Sequence, residues 1–306
     1  MSAATQRVGV IGLGNIGGAI AANLIVDGHE VHVHDLDPTR VETLVAAGAT
    51  AAASAIALAQ RTEVVFTSLP NPAAMDTVAT AWLAGATRDA VLVDLSTNAP
   101  VTVRAVGARI SAAGCHLLEA PLTGGAPGAK MRMLVFMVGG DAGVYERCRP
   151  LLDKLGRASF HIGPLGSGNV AKLVNSLLAF TAAWVSLEGL AVAAKAGIDL
   201  RTMIEVIRTG GAGNFFTDRM VEGINERNRP TSFSLALAAK DAGLLLDVGR
   251  DLGVPTPVAA EVAQSFVAAI AAGLGERDFT DLVELMERHA GVKLHLPPPR
   301  SAGGSP

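Results

Sequence analysis

A glycine-rich loop is the first feature of the chain that could do chemistry. Residues 12–17 read Gly-Leu-Gly-Asn-Ile-Gly; they follow the strand-like run 7–11 and open a helix-like segment. In such a loop the first glycine allows a tight turn, the second lets a pyrophosphate approach the backbone, and the third lets helix and strand pack closely. The sequence therefore predicts a dinucleotide site that includes Gly12, Gly14, Asn15, Ile16 and Gly17.

A carboxylate stands at the end of the next strand-like run, roughly twenty residues past the loop. Asp35 can accept hydrogen bonds from an adenosine ribose, and its charge would repel the 2′-phosphate of NADP. NAD is therefore the predicted cofactor in preference to NADP. Two alternatives stay open. Asp35 could be only a solvent-exposed residue of a loop, and Arg40 on the next helix could reach the 2′-phosphate of NADP.

Alternating strand-like and helix-like segments predict the domain that positions these residues. Short apolar runs, which read as strands, lie at 7–11, 30–34, 64–68, 90–95, 116–120 and 133–138. They alternate with longer segments of helical spacing at 15–27, 39–47, 73–83, 100–112 and 142–155. This β-α-β alternation is typical of a doubly wound parallel sheet, in which helices cover both faces. We therefore expect an α/β Rossmann domain over residues 1–163, with a Gly/Pro-rich loop at 124–128.

The second part of the chain has a different periodicity. From Leu165 onward the long segments all repeat with the helical period, which predicts an all-α domain over residues 164–295. Its first helix, at about 169–196, is long enough to run from one domain into the other. Later helices are predicted near 200–209, 215–226, 235–251, 257–272 and 281–290. The Pro/Gly/Ser-rich end, 296–306, is predicted to be a disordered tail.

Composition excludes several classes of protein. Only 17% of the 306 residues are charged and the net charge is −3, so no basic surface for nucleic acid or an anionic membrane is expected. Half of the residues are hydrophobic, yet the longest apolar stretch, 176–194, holds polar residues at Ser176, Thr181, Ser186 and Glu188. It is better explained as a buried helix than as a membrane span.

The predicted location is the cytoplasm. The first residues lack the layout of a signal peptide, and the two cysteines, Cys115 and Cys148, form no C-x-x-C pattern. Both are expected to be inert. His32 and His34 share one face of a strand, but no third ligand has metal spacing, so no metal site is predicted.

Several ordered segments resemble one enzyme family. They are Gly12–Leu24 (GLGNIGGAIAANL), Glu119–Gly125 (EAPLTGG) and Gly163–Asn175 (GPLGSGNVAKLVN), together with Leu69-Pro70, Ser96-Thr97 and Lys240-Asp241. With these residues, which span nearly all of the chain, it resembles the 3-hydroxyisobutyrate dehydrogenases, also called β-hydroxyacid dehydrogenases. The resemblance implies a Rossmann domain plus a helical domain, oxidation of a 3-hydroxy acid or reduction of its semialdehyde, and no metal.

By matching position, Lys172 is implied to be the general acid/base. A lysine must be neutral to accept a proton, and burial in a cleft beside the positive charge of oxidised nicotinamide would lower its pKa. Asn175 lies three positions later, on the same helix face, where its amide can orient the substrate. The alternative is that Lys172 is a solvated surface lysine and Asn175 fills a polar spot.

The resemblance assigns further residues to the substrate and the cofactor. Thr123, Gly124 and Gly125 are implied to hold the substrate carboxylate. Ser96 would lie beside the nicotinamide, Leu69 and Pro70 along the adenosine side, and Lys240 would reach the cofactor and substrate with Asp241 holding the local geometry. Asn214, Phe215 and Phe233 fall in segments that line the substrate pocket in relatives, but aromatic residues in helical domains are more simply explained as core.

The chain also departs from the family pattern. Threonine stands at position 123 where serine is usual, and Arg132-Met133 replaces a usual Gly-Thr. The substrate is therefore predicted only as a small 3-hydroxy carboxylate. Two other functions stay open: an imine or semialdehyde reductase of the same fold using NADPH, and a non-catalytic dinucleotide-binding protein. The resemblance further implies a homodimer or homotetramer assembled through the helical domain.

Overall fold

The computed structural model describes residues 6–296. The predicted tail, apart from Leu296, lies outside the described residues. The chain divides into two compact units, Met1–Val174 and Asn175–Pro306, which we call the Rossmann unit and the helical unit. One helix, Ser167–Lys195, contains the division. The boundary predicted near residue 163 stays a prediction.

The Rossmann unit alternates strands and helices as its sequence period predicts. Its strands are β1 (Arg7–Ile11), β2 (Glu30–His34), β3 (Thr50–Ala51), β4 (Val64–Thr67), β5 (Val91–Asp94), β6 (His116–Glu119), β7 (Leu122–Thr123), β8 (Leu134–Gly139) and β9 (Gly156–Gly163). Its helices are α1 (Gly17–Val26), α2 (Pro38–Ala46), α3 (Ala55–Ala59), α4 (Pro72–Leu83), α5 (Pro100–Ala112), α6 (Gly125–Lys130) and α7 (Ala142–Leu155), and it holds the start of α8 (Ser167–Lys195).

The strand order creates a crevice beside β1. The order is β3-β2-β1-β4-β5-β6-β8-β7, with β9 paired to β8. The chain winds outward from β1 toward β2 on one side and toward β4 on the other, so the loops after β1 and β4 diverge at their carboxyl ends. Crevices at such reversal points are where open α/β sheets bind ligands.

The sheet is parallel from β3 to β6, as predicted, but the prediction is wrong for the pairings of β8 with β6 and β7. Strand β8 runs antiparallel to β6 and β7, and β9 is parallel to β8. The predicted loop 124–128 is largely the short helix α6. Strand β9 was not predicted, because half of its residues are exposed and no continuous apolar run marks it.

Apolar side chains cover both faces of the central strands. Val8, Val10, Val31, Val33 and Phe66 pack in one buried cluster, and a second cluster on the other face contains Val65, Leu92 and Trp82. Alternate residues of one strand point to opposite faces, so strands buried on both sides must be apolar throughout. This two-sided burial explains much of the high hydrophobic content.

The regular elements of the helical unit are all helices among its described residues, and one isolated antiparallel bridge joins Ser234 and Asp278. The helices are the rest of α8, α9 (Leu200–Thr209), α10 (Phe215–Asn225), α11 (Leu235–Asp251), α12 (Pro257–Ala271), a 3-10 turn (Phe279–Asp281) and α13 (Leu282–Ala290). These bounds agree with the predicted helices to within a residue or two. The core packs one face of α8 against α11 and α12, and Phe180, Phe266 and Phe279 meet within it.

Helix α8 is the one described helix that is long and apolar enough to cross a membrane by length and composition. Central helices of soluble domains pass the same test, and Phe180, Ala183, Leu187 and Leu190 of α8 are buried in the core of the helical unit. The feature is therefore accounted for by packing within this unit.

Candidate active site

The glycine loop occupies the crevice beside β1. Gly12 has a φ of 83°, a conformation that favours glycine, and a Cβ added there would lie 2.3 Å from the Ser68 carbonyl oxygen. A Cβ on Gly17 would lie 1.9 Å from the Gly12 carbonyl oxygen. These two glycines therefore let the loop pack against α1 and against the end of β4.

Gly14 differs from its neighbours because the space beside it is open. The nearest atom to an added Cβ is Arg40 Nη1, at 3.7 Å. Helix α1 begins three residues later and has no side-chain cap at Ile16, so its amino end can serve an anion. A bare backbone beside open space at a helix amino terminus fits a pyrophosphate.

Asp35 lies against the glycine loop, as its spacing predicts. Its Oδ2 accepts a hydrogen bond of 2.5 Å from the Leu13 N–H, and its Oδ1 accepts one of 2.8 Å from the Asp37 N–H. Arg40 is half exposed, with Nη1 3.9 Å from Asp35 Oδ2 and Nε 3.2 Å from Asp37 Oδ2. The structure thus places Asp35, the predicted hydrogen-bond acceptor for the ribose, beside Arg40, the cation that could bind a 2′-phosphate.

Ser96 and Leu69 are joined directly. The Leu69 N–H donates to Ser96 Oγ at 2.8 Å, and Ser96 Oγ donates to Asp94 Oδ1 at 2.7 Å. Ser96 is buried, whereas the neighbouring Pro70 is exposed. The loops after β4 and β5, which the family resemblance assigns to the cofactor, are therefore tied together at the carboxyl edge of the sheet.

The segment assigned to the substrate carboxylate is a sharp turn. Thr123 ends β7, and Gly124 and Gly125 follow with φ values of 117° and 61°. Two consecutive residues in the left-handed region turn the chain into α6, and only glycine adopts this conformation readily. Thr123 is half-buried and Gly124 is exposed.

The proposed proton-transfer residue lies in the second turn of α8. Lys172 is half-buried, and Asn175 follows three residues later on the same helix, also half-buried. Asn175 is the first residue of the helical unit by the structural division. Lys172 and the glycine loop belong to the same unit.

Lys240 lies in the helical unit, on α11. Its Nζ is 3.2 Å from Oδ1 of the adjacent Asp241, whose side chain is buried. Of the residues given less weight, Asn214 caps α10 through the Phe216 and Thr217 N–H groups, Phe215 is exposed, and Phe233 packs against Phe180 and Phe279.

Other residues singled out from the sequence have structural contacts. Arg132, which departs from the family pattern, donates to Asp27 Oδ2 at 2.8 Å and to the Asn23 and Lys154 carbonyls. The hydrogen bond from Arg132 helps to hold the pKa of Asp27 below its usual range. Arg132 thus links the turn after α6 to α1 and α7, and Met133 beside it is exposed.

The histidine and cysteine contacts are also structural. His32 contacts Glu30, and His34 contacts the Ala52 carbonyl. No group of three or more metal-binding side chains occurs among the described residues. Both cysteines are buried, and burial raises the pKa of Cys148 to about 11, so its thiolate is scarce at neutral pH.

Four buried polar residues at the carboxyl edge of the sheet were not singled out from the sequence. Asp94 ends β5 and Glu119 ends β6, and both are fully buried, as are Asn98 and Asn169. Burial raises the pKa values of Asp94 and Glu119, and the hydrogen bonds that each accepts oppose that rise. A charged residue ending an apolar strand is the signal that could have identified Asp94 and Glu119.

Two family models together match most of the chain. The NAD-binding domain of 6-phosphogluconate dehydrogenase matches residues 7–163, which is more than half of the chain. The second model, described as NAD-binding of NADP-dependent 3-hydroxyisobutyrate dehydrogenase, matches residues 166–286. The chain belongs to the 3-hydroxyisobutyrate dehydrogenase, or β-hydroxyacid dehydrogenase, family.

Individual relatives of this dehydrogenase family agree over nearly their whole length. The mitochondrial 3-hydroxyisobutyrate dehydrogenase of Drosophila melanogaster is 33% identical over 293 residues, covering 92% of this chain and 90% of the relative. An NAD-dependent L-serine dehydrogenase of Pseudomonas aeruginosa is 33% identical, covering 94% of this chain and 99% of the relative. The chain is therefore a hydroxyacid dehydrogenase at the level of the family, with a nicotinamide dinucleotide-binding domain.

A solved structure in this family supports the same fold. The 3-hydroxyisobutyrate dehydrogenase of Mycobacterium tuberculosis with L-serine has a TM-score of 0.86 and 29% identity, covering 92% of this chain and 99% of that chain. Its fold confirms the predicted architecture, a Rossmann domain followed by a helical domain with a long helix α8.

Proposed function

We propose that this protein catalyses reversible, NAD-dependent hydride transfer between a small 3-hydroxy carboxylate and its semialdehyde or ketone. The observation that carries the proposal is that one compact unit contains both a dinucleotide cradle, open at Gly14, and the helix start that bears Lys172. When bound, the nicotinamide ring supplies the acceptor or donor of the hydride.

The protein's own residues supply binding and proton transfer. The loop around Gly14 and the amino end of α1 would hold the pyrophosphate, and Asp35 would accept hydrogen bonds from the adenosine ribose. Lys172 would take the hydroxyl proton during oxidation and return it during reduction. The turn Thr123–Gly125 and the Asn175 amide would orient the substrate.

The substrate class rests on the relatives. The names of the two relatives reported above contain 3-hydroxyisobutyrate and L-serine, and both compounds are small carboxylates with a hydroxyl on carbon 3. A panel of such acids, with NAD and with NADP, should be followed by the change in NADH or NADPH absorbance. Turnover on one member supports the proposal.

The same panel separates the alternatives. Reduction of cyclic imines, with no turnover of any hydroxy acid or semialdehyde, would favour an imine reductase. Tight cofactor binding without turnover of any substrate would favour a non-catalytic dinucleotide-binding protein. Lys172 supports the dehydrogenase, because a lysine can act as the general acid/base that moves the hydroxyl proton.

Cofactor choice gives a separate prediction. Replacing Asp35 by asparagine should raise the ratio of kcat/KM with NADP to that with NAD by roughly tenfold to a hundredfold, about 1.4 to 2.8 kcal/mol. The variant removes the charge that repels a 2′-phosphate, and Arg40, 3.9 Å away, becomes free to pair with it. Steady-state kinetics with both cofactors would measure the ratio.

Two variants control this experiment. Asp37→Asn removes a nearby charge without touching the Leu13 hydrogen bond, and it should shift the ratio far less. Adding Arg40→Ala to Asp35→Asn should cancel most of the gain. A wild-type enzyme that already prefers NADP would contradict the assignment of NAD.

We also propose a homodimer or homotetramer assembled through the helical unit. Leu178, Val185 and Val192 lie seven residues apart on α8 and are between 56% and 70% exposed, so they form one apolar stripe. Val185→Lys should lower the mass in solution, measured by light scattering, to that of a monomer. Val101→Lys, at an exposed site on α5, should leave it unchanged, and a monomeric wild type would refute the proposal.

The remaining predictions about partners and location rest on composition. A small carboxylate is the proposed ligand, and neither nucleic acid nor a membrane is proposed as a partner. The cytoplasm is the proposed location.

A further inference from the structure

Hydrogen-bonded polar groups form a continuous line along the carboxyl edge of the sheet, which we call the edge network: the Leu69 N–H and the side chains of Ser96, Asp94, Asn98, Asn169 and Glu119. Asp94 and Glu119 are register neighbours on β5 and β6, and both are fully buried. Burying a carboxylate costs free energy unless hydrogen-bond donors surround it. Two fully buried carboxylates on neighbouring strands, with donors supplied to both, therefore need an explanation.

Glu119 holds the amino end of α8. Its Oε1 accepts hydrogen bonds from the Gly166 N–H at 2.5 Å and the Gly168 N–H at 2.9 Å. Its Oε2 accepts from Asn169 twice, from the backbone N–H at 3.2 Å and from Nδ2 at 2.5 Å. All four partners donate, which suits an ionised carboxylate, and the amino end of a helix favours negative charge.

Glycines make this contact close. A Cβ on Gly139 would lie 2.2 Å from Glu119 Oε1, and one on Gly168 would lie 2.4 Å from the Met137 carbonyl oxygen of β8. The first turn of α8 therefore packs directly on the backbone of β8 and on the Glu119 side chain. The position of this helical turn relative to the sheet edge is therefore fixed by close contacts at Gly139 and Gly168, where a side chain would not fit.

Asn169 connects Glu119 to the loops beside the glycine loop. Its Oδ1 accepts from the Asn98 N–H at 2.7 Å, and Asn98 Nδ2 donates to Asp94 Oδ2 at 2.8 Å. Asp94 in turn accepts from Ser96, whose Oγ accepts from the Leu69 N–H. The line of hydrogen bonds thus runs from the loop after β4 to the helix that bears Lys172.

The edge network relates Lys172 to the loops assigned to the cofactor. Lys172 lies three residues after Asn169, hence on the same side of the helix. Asn169 therefore connects the proton-transfer residue to the cofactor loops, and Glu119 fixes the helix start that bears both residues.

We propose that Glu119 and Asn169 are positioning residues, which fix the start of α8 so that Lys172 is held in place relative to the cofactor loops. This proposal rests on the proposed function, since it takes Lys172 as the proton-transfer group. A misplacement of about 1 Å in such a group can cost roughly a hundredfold in rate.

Swapping the carboxylate of position 119 with the amide of position 169 tests whether these two side chains act as a pair. Glu119→Gln turns an NH₂ group toward the Asn169 donors, so donors face donors, and Asn169→Asp places two carboxylates in contact. In the double variant, the amide oxygen at position 119 still accepts from Gly166 and Gly168, and the amide NH₂ donates to the carboxylate at position 169. That carboxylate still accepts from the Asn98 N–H, so only the 3.2 Å bond from the backbone N–H at position 169 is lost.

The expected result is rescue. Each single variant should lower kcat by about tenfold to a hundredfold and speed amide hydrogen exchange in residues 166–170. The double variant should restore kcat to within about threefold of wild type and restore the slow exchange. Asp141→Ala is the control: it removes a side-chain cap from α7, which does not carry Lys172, and should lower thermal stability without lowering kcat.

Several results would overturn the proposal. One is a double variant no better than the worse single variant in both kcat and exchange. Another is a Glu119→Gln enzyme with faster exchange at 166–170 and unchanged kcat, which would mean that the contact only stabilises the helix. If the single variants do not fold, a folded and active double variant supports the pairing, and an unfolded one refutes it.

Failure of the proposed function would look different. In that case wild-type protein turns over no 3-hydroxy acid, while the exchange measurement still shows whether Glu119 and Asn169 hold the start of α8. Unchanged exchange in both single variants would overturn the positioning role whatever the activity of the wild type.

Discussion

Replacing Lys172 by alanine should lower kcat by about a hundredfold to ten-thousandfold while NAD still binds. General acid/base groups contribute rate factors of this order, because without them the hydroxyl proton must pass to water in the transition state. Lys172 is half-buried in the second turn of α8, within the unit that holds the glycine loop, but it is not part of that loop. Cofactor affinity should therefore change little.

The measurement needs two readouts and two controls. Turnover should be followed by NADH absorbance with the best acid of the panel, and NADH affinity by fluorescence titration. Lys172→Arg keeps the positive charge but cannot give up its proton near neutral pH, so it should be nearly as slow as the alanine variant. Lys130→Ala removes an exposed lysine of α6 and should retain full activity. A Lys172→Ala enzyme with at least half of the wild-type rate would disprove the assigned role.

Replacing Gly14 by alanine should raise the Kd for NAD at least about tenfold, or roughly 1.4 kcal/mol, with little change in folding. The added methyl group meets no protein atom closer than Arg40 Nη1 at 3.7 Å, so the free protein accommodates it. The same methyl group would occupy the space that a pyrophosphate needs beside the backbone. Calorimetric titration with NAD would measure the effect.

Neighbouring and distant glycines provide the comparison. Gly17→Ala should destabilise the loop itself, because the Cβ would lie 1.9 Å from the Gly12 carbonyl oxygen. Gly243→Ala, on α11 with no atom within 4 Å, should leave both stability and affinity unaffected or slightly improve stability. Wild-type NAD affinity in the Gly14→Ala protein would show that the dinucleotide does not bind along this loop.

Elements marked by a strong local period were predictable. The bounds of α5, α7, α9 and α11 agree with the sequence prediction at both ends. Two of the unpredicted elements had weak or misleading local signals: α6 reads Gly-Ala-Pro-Gly-Ala-Lys, and β9 has no continuous apolar run. The antiparallel direction of β8 leaves no trace in its sequence, because burial on both faces requires the same apolar residues in either direction.

The sequence by itself determined the glycine loop, the spacing to Asp35 and the helix that carries Lys172 and Asn175, together with the family to which they belong. These features depend on backbone conformation and on side-chain period over short stretches, which a single segment encodes. The tertiary structure alone decided the edge network. Glu119 meets Gly166 across 47 residues and Asn98 meets Asn169 across 71. Such pairs form only when the strand ends and the start of α8 are packed together, since no local period indicates which distant donor will satisfy a buried carboxylate.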